Sequence, residues 1–149
     1  MLYVEDEEDD VFFMRTALKR LGLADRFHAV GDGEQAIDYL AGKGPFADRE
    51  RAPLPSLLVL DLNLPIRSGF EVLEWLRNQP EFATLTVVIF SSSGRPEDRR
   101  RAQQLGATEY LLKPTSGVEF FEIASQLTRA WGERAHRQVD GAEVRQPSG

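Results

Sequence analysis

Residues 57–65 read Leu57-Leu58-Val59-Leu60-Asp61-Leu62-Asn63-Leu64-Pro65. An unbroken apolar run closed by an acid suits a strand, Leu57–Asp61, that is covered on both faces. Such strands belong to parallel sheets flanked by helices. After the turn come Ser68 and, three residues on, Glu71, a capping box that opens a helix running to about Asn78. Strand followed by helix is therefore the unit to look for on either side.

Downstream, Leu85–Phe90 is a second near-continuous apolar run and reads as the fourth strand. Pro96 suits the first turn of the next helix, which Gly106 ends. Thr108–Leu112 reads as the fifth strand, and a last helix runs from about Val118 to Arg134. Upstream, Met1–Val4 is the first strand. A helix from about Asp9 to Leu21 places Val11, Met14, Leu18 and Leu21 on one face, with Gly22 at its left-handed end. Arg26–Val30 is the second strand. The second helix starts at Asp32, with Gln35 as capping partner and Ala36, Ile37, Leu40 and Ala41 as its buried face. The Pro-rich segment Gly44–Pro55 reads as a long surface loop, because the residues before it are too few to form a core of their own. The fold class is α/β, a (βα)5 doubly wound parallel sheet. Residues 1–135 form the domain, and residues 136–149, which lose periodicity and end in Gln-Pro-Ser-Gly, are expected to be a disordered tail.

The chain has 149 residues, 42% hydrophobic and 28% charged, enough for one core without staples. It has no cysteine, which excludes disulfides, thiolate metal sites and a cysteine nucleophile. A net charge of -6 disfavours nucleic acid and anionic lipid as partners. No apolar run approaches the roughly 20 residues that span a bilayer. The N-terminus lacks the basic-then-apolar pattern of a secretion signal. A cytoplasmic protein is expected.

Doubly wound sheets bind ligands beyond the carboxyl ends of their strands. The residues there carry chemistry. Glu5, Asp6, Glu7, Glu8, Asp9 and Asp10 follow the first strand. Glu8, Asp9 and Asp10 are accounted for by the dipole of the helix they open, but Glu5 and Asp6 sit at the strand end. Asp61 ends the third strand. If the two strands are neighbours, three carboxylates meet, and either raised pKa values or a bound cation must relieve the repulsion. Oxygen ligands suit Mg2+ rather than zinc, and a solvated acidic patch is the alternative. Ser91 to Ser93 follow the fourth strand, and Lys113-Pro114 the fifth. Acid, hydroxyl and lysine together can hold a phosphoryl group, and a carboxylate can itself be the nucleophile.

Val4-Glu5-Asp6, Leu60-Asp61-Leu62-Asn63-Leu64-Pro65, Gly69, Ser91, Tyr110 and Lys113-Pro114 stand in the order and spacing of a known family. Over roughly residues 1–130 the chain resembles the receiver domain of two-component response regulators. The resemblance implies a flavodoxin-like sheet of strand order 2-1-3-4-5. It implies a phosphoacceptor switch rather than an enzyme, with Asp61 as acceptor. Asp6 would bind Mg2+ directly, Glu5 through water, and Asn63 through its carbonyl. Ser91 and Lys113 would contact the phosphoryl group, Ser91 and Tyr110 would form the switch pair, and Pro114 would follow a cis peptide. Asn63 and Ser93 occupy positions that tune hydrolysis. The donor would be a histidine kinase. Glu5-Asp6 with Asp9-Asp10, the Gly44–Pro55 loop and Trp131 look like the stand-alone regulators paired with bacterial phytochrome kinases. One departure is that the first strand begins at Met1, where the family usually has several residues before it.

Other readings were weighed. Gly31-Asp32-Gly33-Glu34-Gln35-Ala36 matches a dinucleotide fingerprint, but Asp32 and Glu34 would repel a pyrophosphate and no acid follows at a strand end. Aspartate-nucleophile phosphohydrolases carry a second aspartate where Asn63 stands. No phosphate-binding P-loop is present. His28 and His136 lack the surroundings of a donor or a metal pair, so the donor histidine is expected on another protein. Arg99, Arg100 and Arg101 read as a solvated face or as charge for a partner, with a homodimer through helix 4, strand 5 and helix 5 as one candidate. Phe120, Ile123, Ala124, Leu127 and Trp131 share the core face of the last helix, and Phe121 lies off it as a candidate contact outside the core. A vestigial pseudo-receiver acting as a constitutive interaction module is the rival function.

Overall fold

Strands and helices alternate along the whole chain: β1 (Leu2–Val4), α1 (Glu8–Arg20), β2 (His28–Val30), α2 (Gly33–Ala41), β3 (Leu57–Leu60), α3 (Gly69–Arg77), β4 (Thr86–Ser91), α4 (Pro96–Gln104), β5 (Glu109–Leu112) and α5 (Gly117–Arg145). The computed structural model describes the backbone of residues 1–145 and the side chains of residues 1–131. All strand pairs are parallel and the sheet order is β2-β1-β3-β4-β5.

The period of two along each strand divides the core into two layers. Leu58, Leu60, Val87 and Ile89 face α2 and α3, meeting Ala36, Leu40, Val72, Leu73 and Leu76. Leu57, Val59, Val88 and Phe90 face α1 and α5, meeting Met14, Leu18, Phe120, Ala124 and Trp131. β3 is buried at every position, as a strand covered on both sides must be.

Local signals place the helix ends. The Asp32 side chain accepts from the Gln35 N–H at 2.7 Å, and Ser68 accepts from the Glu71 N–H at 3.2 Å. The Gln35 side chain reaches back one residue further than a capping box requires, to the Gly31 N–H. The Gly44–Pro55 segment is folded onto α2. Arg49 donates to the carbonyls of Tyr39, Leu40 and Ala52 at 2.8, 2.9 and 3.1 Å, and the Tyr39 hydroxyl donates to the Pro53 carbonyl at 2.9 Å. The guanidinium thereby caps the carbonyl end of α2, and the long loop marks no boundary.

Three expectations are corrected. The Lys113–Pro114 peptide is trans, since the described backbone contains no cis peptide; trans is the ordinary preference of such bonds. Phe121 is not free of the core: it packs against the α1/α5 layer, with the Arg20 guanidinium 4.5 Å from its ring centre. The arginine run is exposed, as a solvated face requires, and Arg99 and Arg101 also lie over the rings of Tyr110 and Phe70. The backbone of α5 is helical to Arg145 rather than ending near Arg134; Arg137, Gln138, Ala142 and Glu143 are good helix formers, and lost periodicity alone does not end a helix. Gln146–Gly149 of the expected tail lie outside the described residues.

Candidate functional site

The site lies where β1, β3 and β5 end. Glu5 and Asp61 continue the strand ladder by one step, with the Glu5 N–H donating to the Val30 carbonyl at 3.0 Å and the Asp61 N–H to the Val4 carbonyl at 3.2 Å. Both acids are almost fully buried, at 2% and 5% exposure, whereas Asp6 is exposed. One carboxylate oxygen from each of Glu5, Asp6 and Asp61 lies within 4.8 Å of the others. The Glu5 Oε2 also accepts the Asp6 N–H at 3.0 Å. Gly69 is required by this packing. A Cβ there would sit 2.2 Å from the Asp61 carbonyl oxygen, so α3 can start close under the acid only with glycine at that position. The intervening turn holds Ile66 at φ 69°, a left-handed conformation that β-branched residues rarely adopt.

Lys113 enters from β5. Its N–H donates to the Ser91 carbonyl at 2.7 Å, which pairs β4 and β5 to their ends. Its ammonium donates to Glu5, to Asp10 Oδ2 at 2.9 Å and to Asp61 Oδ2 at 3.1 Å. All three ammonium protons are thereby used. Burial pushes the Glu5 carboxyl up to about 8, and the Asp61 charge adds to the rise, while Lys113 opposes it. Burial alone would lower Lys113, but Asp61 and Glu5 outweigh it and raise its pKa, so it is a cation at neutral pH.

Glu5, Asp6, Asp61 and Lys113 thus come together. Asn63 lies beside them, its N–H donating to Asp61 Oδ1 at 3.4 Å while its side chain is exposed. Ser91 and Tyr110 belong to an adjoining network. The Ser91 hydroxyl, fully buried, accepts from the Ser93 N–H at 3.2 Å. The Tyr110 hydroxyl donates to the Ser93 carbonyl at 2.6 Å, and the Ser93 hydroxyl to Asp98 on α4 at 2.6 Å. Ser91 and Tyr110 therefore meet through Ser93 rather than directly.

Asp10 was missed as a site residue. It reads as one more acid favouring a helix start, yet it holds Lys113. No local signal in the sequence distinguished it from Glu8 and Asp9, the other acids of the first turn of α1. The donor set tests well for a hard divalent cation: carboxylate oxygens close together, with no imidazole or thiolate among them. An acid beside such a set, flanked by an ammonium, can serve as an oxygen nucleophile toward phosphorus.

This fold, with acids after β1 and β3 and a lysine after β5, defines a class, and the comparisons agree. The family model for the response regulator receiver domain matches residues 1–125, and the chain belongs to that family. It is 29% identical over 133 residues to the response regulator Rcp1 of Synechocystis, an alignment covering 89% of this chain and 88% of Rcp1. Rcp1 has been solved in a Mn2+-bound form, at TM-score 0.76 and 28% identity, covering 87% of this chain and 91% of that one. The phosphorylated cyanobacterial phytochrome response regulator RcpA superposes at TM-score 0.81 with 30% identity, covering 87% of this chain and 91% of RcpA. RPA3017, a response regulator in red light signaling of R. palustris, follows at TM-score 0.75 and 32% identity, covering 85% and 88%. The chain is a response regulator receiver domain, similar in fold to regulators described by phytochrome and red light signaling.

Proposed function

We propose that the chain is a phosphorylation switch in which Asp61 accepts a phosphoryl group from a phosphohistidine on a partner histidine kinase. The observation that carries this reading is the Lys113 ammonium on Asp61 Oδ2, with Asp6 and Glu5 crowding the same acid. An Asp61 oxygen forms the new bond to phosphorus as the bond from phosphorus to the imidazole nitrogen breaks, and the electron pair returns to the ring. Glu5, Asp6 and Asp61, with the Asn63 carbonyl, would hold Mg2+; when bound, it supplies positive charge against the phosphoryl oxygens.

Lys113 turns from the carboxylates to the new phosphoryl oxygens, and the Ser91 hydroxyl donates to another. Movement of the Ser91 hydroxyl toward the phosphoryl group would pull on the Ser93 N–H that it accepts from, and Ser93 holds both Tyr110 and Asp98. The change therefore passes to Tyr110 and to the face of α4, β5 and α5, where a partner or a second copy of the chain binds. Likeness to regulators described by phytochrome and red light signalling supports a phytochrome as the kinase. Water attacking phosphorus ends the signal, with the Asp61 carboxylate as leaving group.

The test is incubation with acetyl phosphate and Mg2+, read by intact mass. Wild type gains a phosphate adduct and Asp61→Asn gains none. No adduct on wild type would instead favour a constitutive interaction module.

A further inference from the structure

Tyr3 lies on β1 two residues before Glu5, so both side chains leave the same face of the sheet. It is fully buried, and among the described residues its hydroxyl is a buried side-chain oxygen without a hydrogen-bond partner. An unpaired buried hydroxyl ordinarily costs stability, so its position asks for a reason. The phenol shares the sheet face of Glu5 without closing a hydrogen bond of ordinary geometry to it, and burial and then the charges of Glu5, Asp10 and Asp61 push its pKa up. Phe at this position would fill the same space, against Phe27 and within the α1/α5 layer, without the penalty. Glu5 Oε1 is occupied by Lys113, and Oε2 by the N–H groups of Asp6 and Glu7. The acid therefore has no present need of the phenol.

That need arises once Lys113 leaves. We infer that Tyr3 is a positioning residue, a buried donor that takes up Glu5 Oε1 when the Lys113 ammonium turns to a phosphoryl group on Asp61; the inference rests on the function proposed above. Without such a donor, Glu5 Oε1 would lose its ammonium partner with no protein donor in its place, and would draw Lys113 back. The hydroxyl is unsatisfied in the resting state because it is satisfied in the other one.

A double-mutant cycle tests this without phosphate. Tyr3→Phe should stabilise wild type several-fold in the equilibrium unfolding constant, because it removes a buried hydroxyl that has no partner there. In a Lys113→Ala background, where Glu5 Oε1 is vacated, the same substitution should destabilise by about fivefold, the worth of one ordinary hydrogen bond. Lys113→Met serves as the background should the alanine variant not fold. After acetyl phosphate and Mg2+, Tyr3→Phe should hold several-fold less adduct than wild type. Equal effects of Tyr3→Phe in the two backgrounds, or equal adduct on both proteins, overturn the inference. Absence of adduct on wild type overturns the proposed function and the phosphoryl half of this inference, whatever the cycle reads.

Discussion

The guanidinium of Arg99 stands 5.0 Å from the centre of the Tyr110 ring, whose hydroxyl donates to the Ser93 carbonyl. The ring is thus held at its face by α4 and at its tip by the loop after β4. α4 has only one buried residue, Ala102, so such contacts matter to how it is seated. Arg99→Ala should lower stability by about 0.5–1 kcal/mol, the range for an exposed cation–π pair, and should free the Tyr110 ring. Denaturant unfolding and ring resonances in NMR check both; an unchanged ring environment would refute the contact.

Gly69→Ala should destabilise by about 2–3 kcal/mol, because the added carbon meets the Asp61 carbonyl oxygen at 2.2 Å and backbone must yield. Gly94→Ala is the control. Its Cβ would find only Leu112 Cδ1 at 3.8 Å, and stability should hardly change. The two midpoints in urea decide it.

The raised pKa of Glu5 fixes a sign. Folding favours its protonated form, so its contribution to stability is fully present below the ordinary value of 4.5 and is lost as pH rises through about 8. Glu5→Gln, neutral throughout, should flatten the decline in stability across that window, while Asp10 and Asp61 still hold Lys113. Parallel wild-type and variant profiles from pH 4.5 to pH 8 would contradict the assignment.

Asp6 and Asp10 should separate in cation binding. Asp6 belongs to the set within 4.8 Å of Glu5 and Asp61, whereas Asp10 is engaged with Lys113. Asp6→Asn should weaken Mn2+ binding by at least about tenfold, and Asp10→Asn by much less. Titration of Mn2+ into each variant measures this directly.

Arg49→Ala removes three hydrogen bonds to main-chain carbonyls at the end of α2 and in the loop beyond. Stability should fall by about 2 kcal/mol, and limited proteolysis should begin to cut within residues 44–55. An uncut loop would mean that Tyr39 and Phe46 suffice to hold it.

Alternation of apolar runs with capped helices was legible because caps and strand runs are local. Asp32 and Ser68 act within three residues of themselves, and β3 announces its burial in four consecutive letters. The acids and lysine at strand ends were legible for the same reason, once the sheet was recognised. The order of the strands came only with the family resemblance. Asp10 and Tyr3 were harder. Each has an ordinary local explanation, a helix-start acid and a core aromatic, and only the approach of Lys113 from more than a hundred residues away changes their meaning. Phe121 was misread because a helical wheel shows which residues leave the core face but not what another element lays over them.

The 2.7 Å bond from the Lys113 N–H to the Ser91 carbonyl nails the lysine's main chain to the neighbouring strand. Reorienting its ammonium is therefore a matter of side-chain torsions alone, an event of picoseconds to nanoseconds where space permits. Any slow phase in the response of this protein must then be set by the segment from Ser93 to Asp98, where main-chain and helix contacts have to be exchanged together.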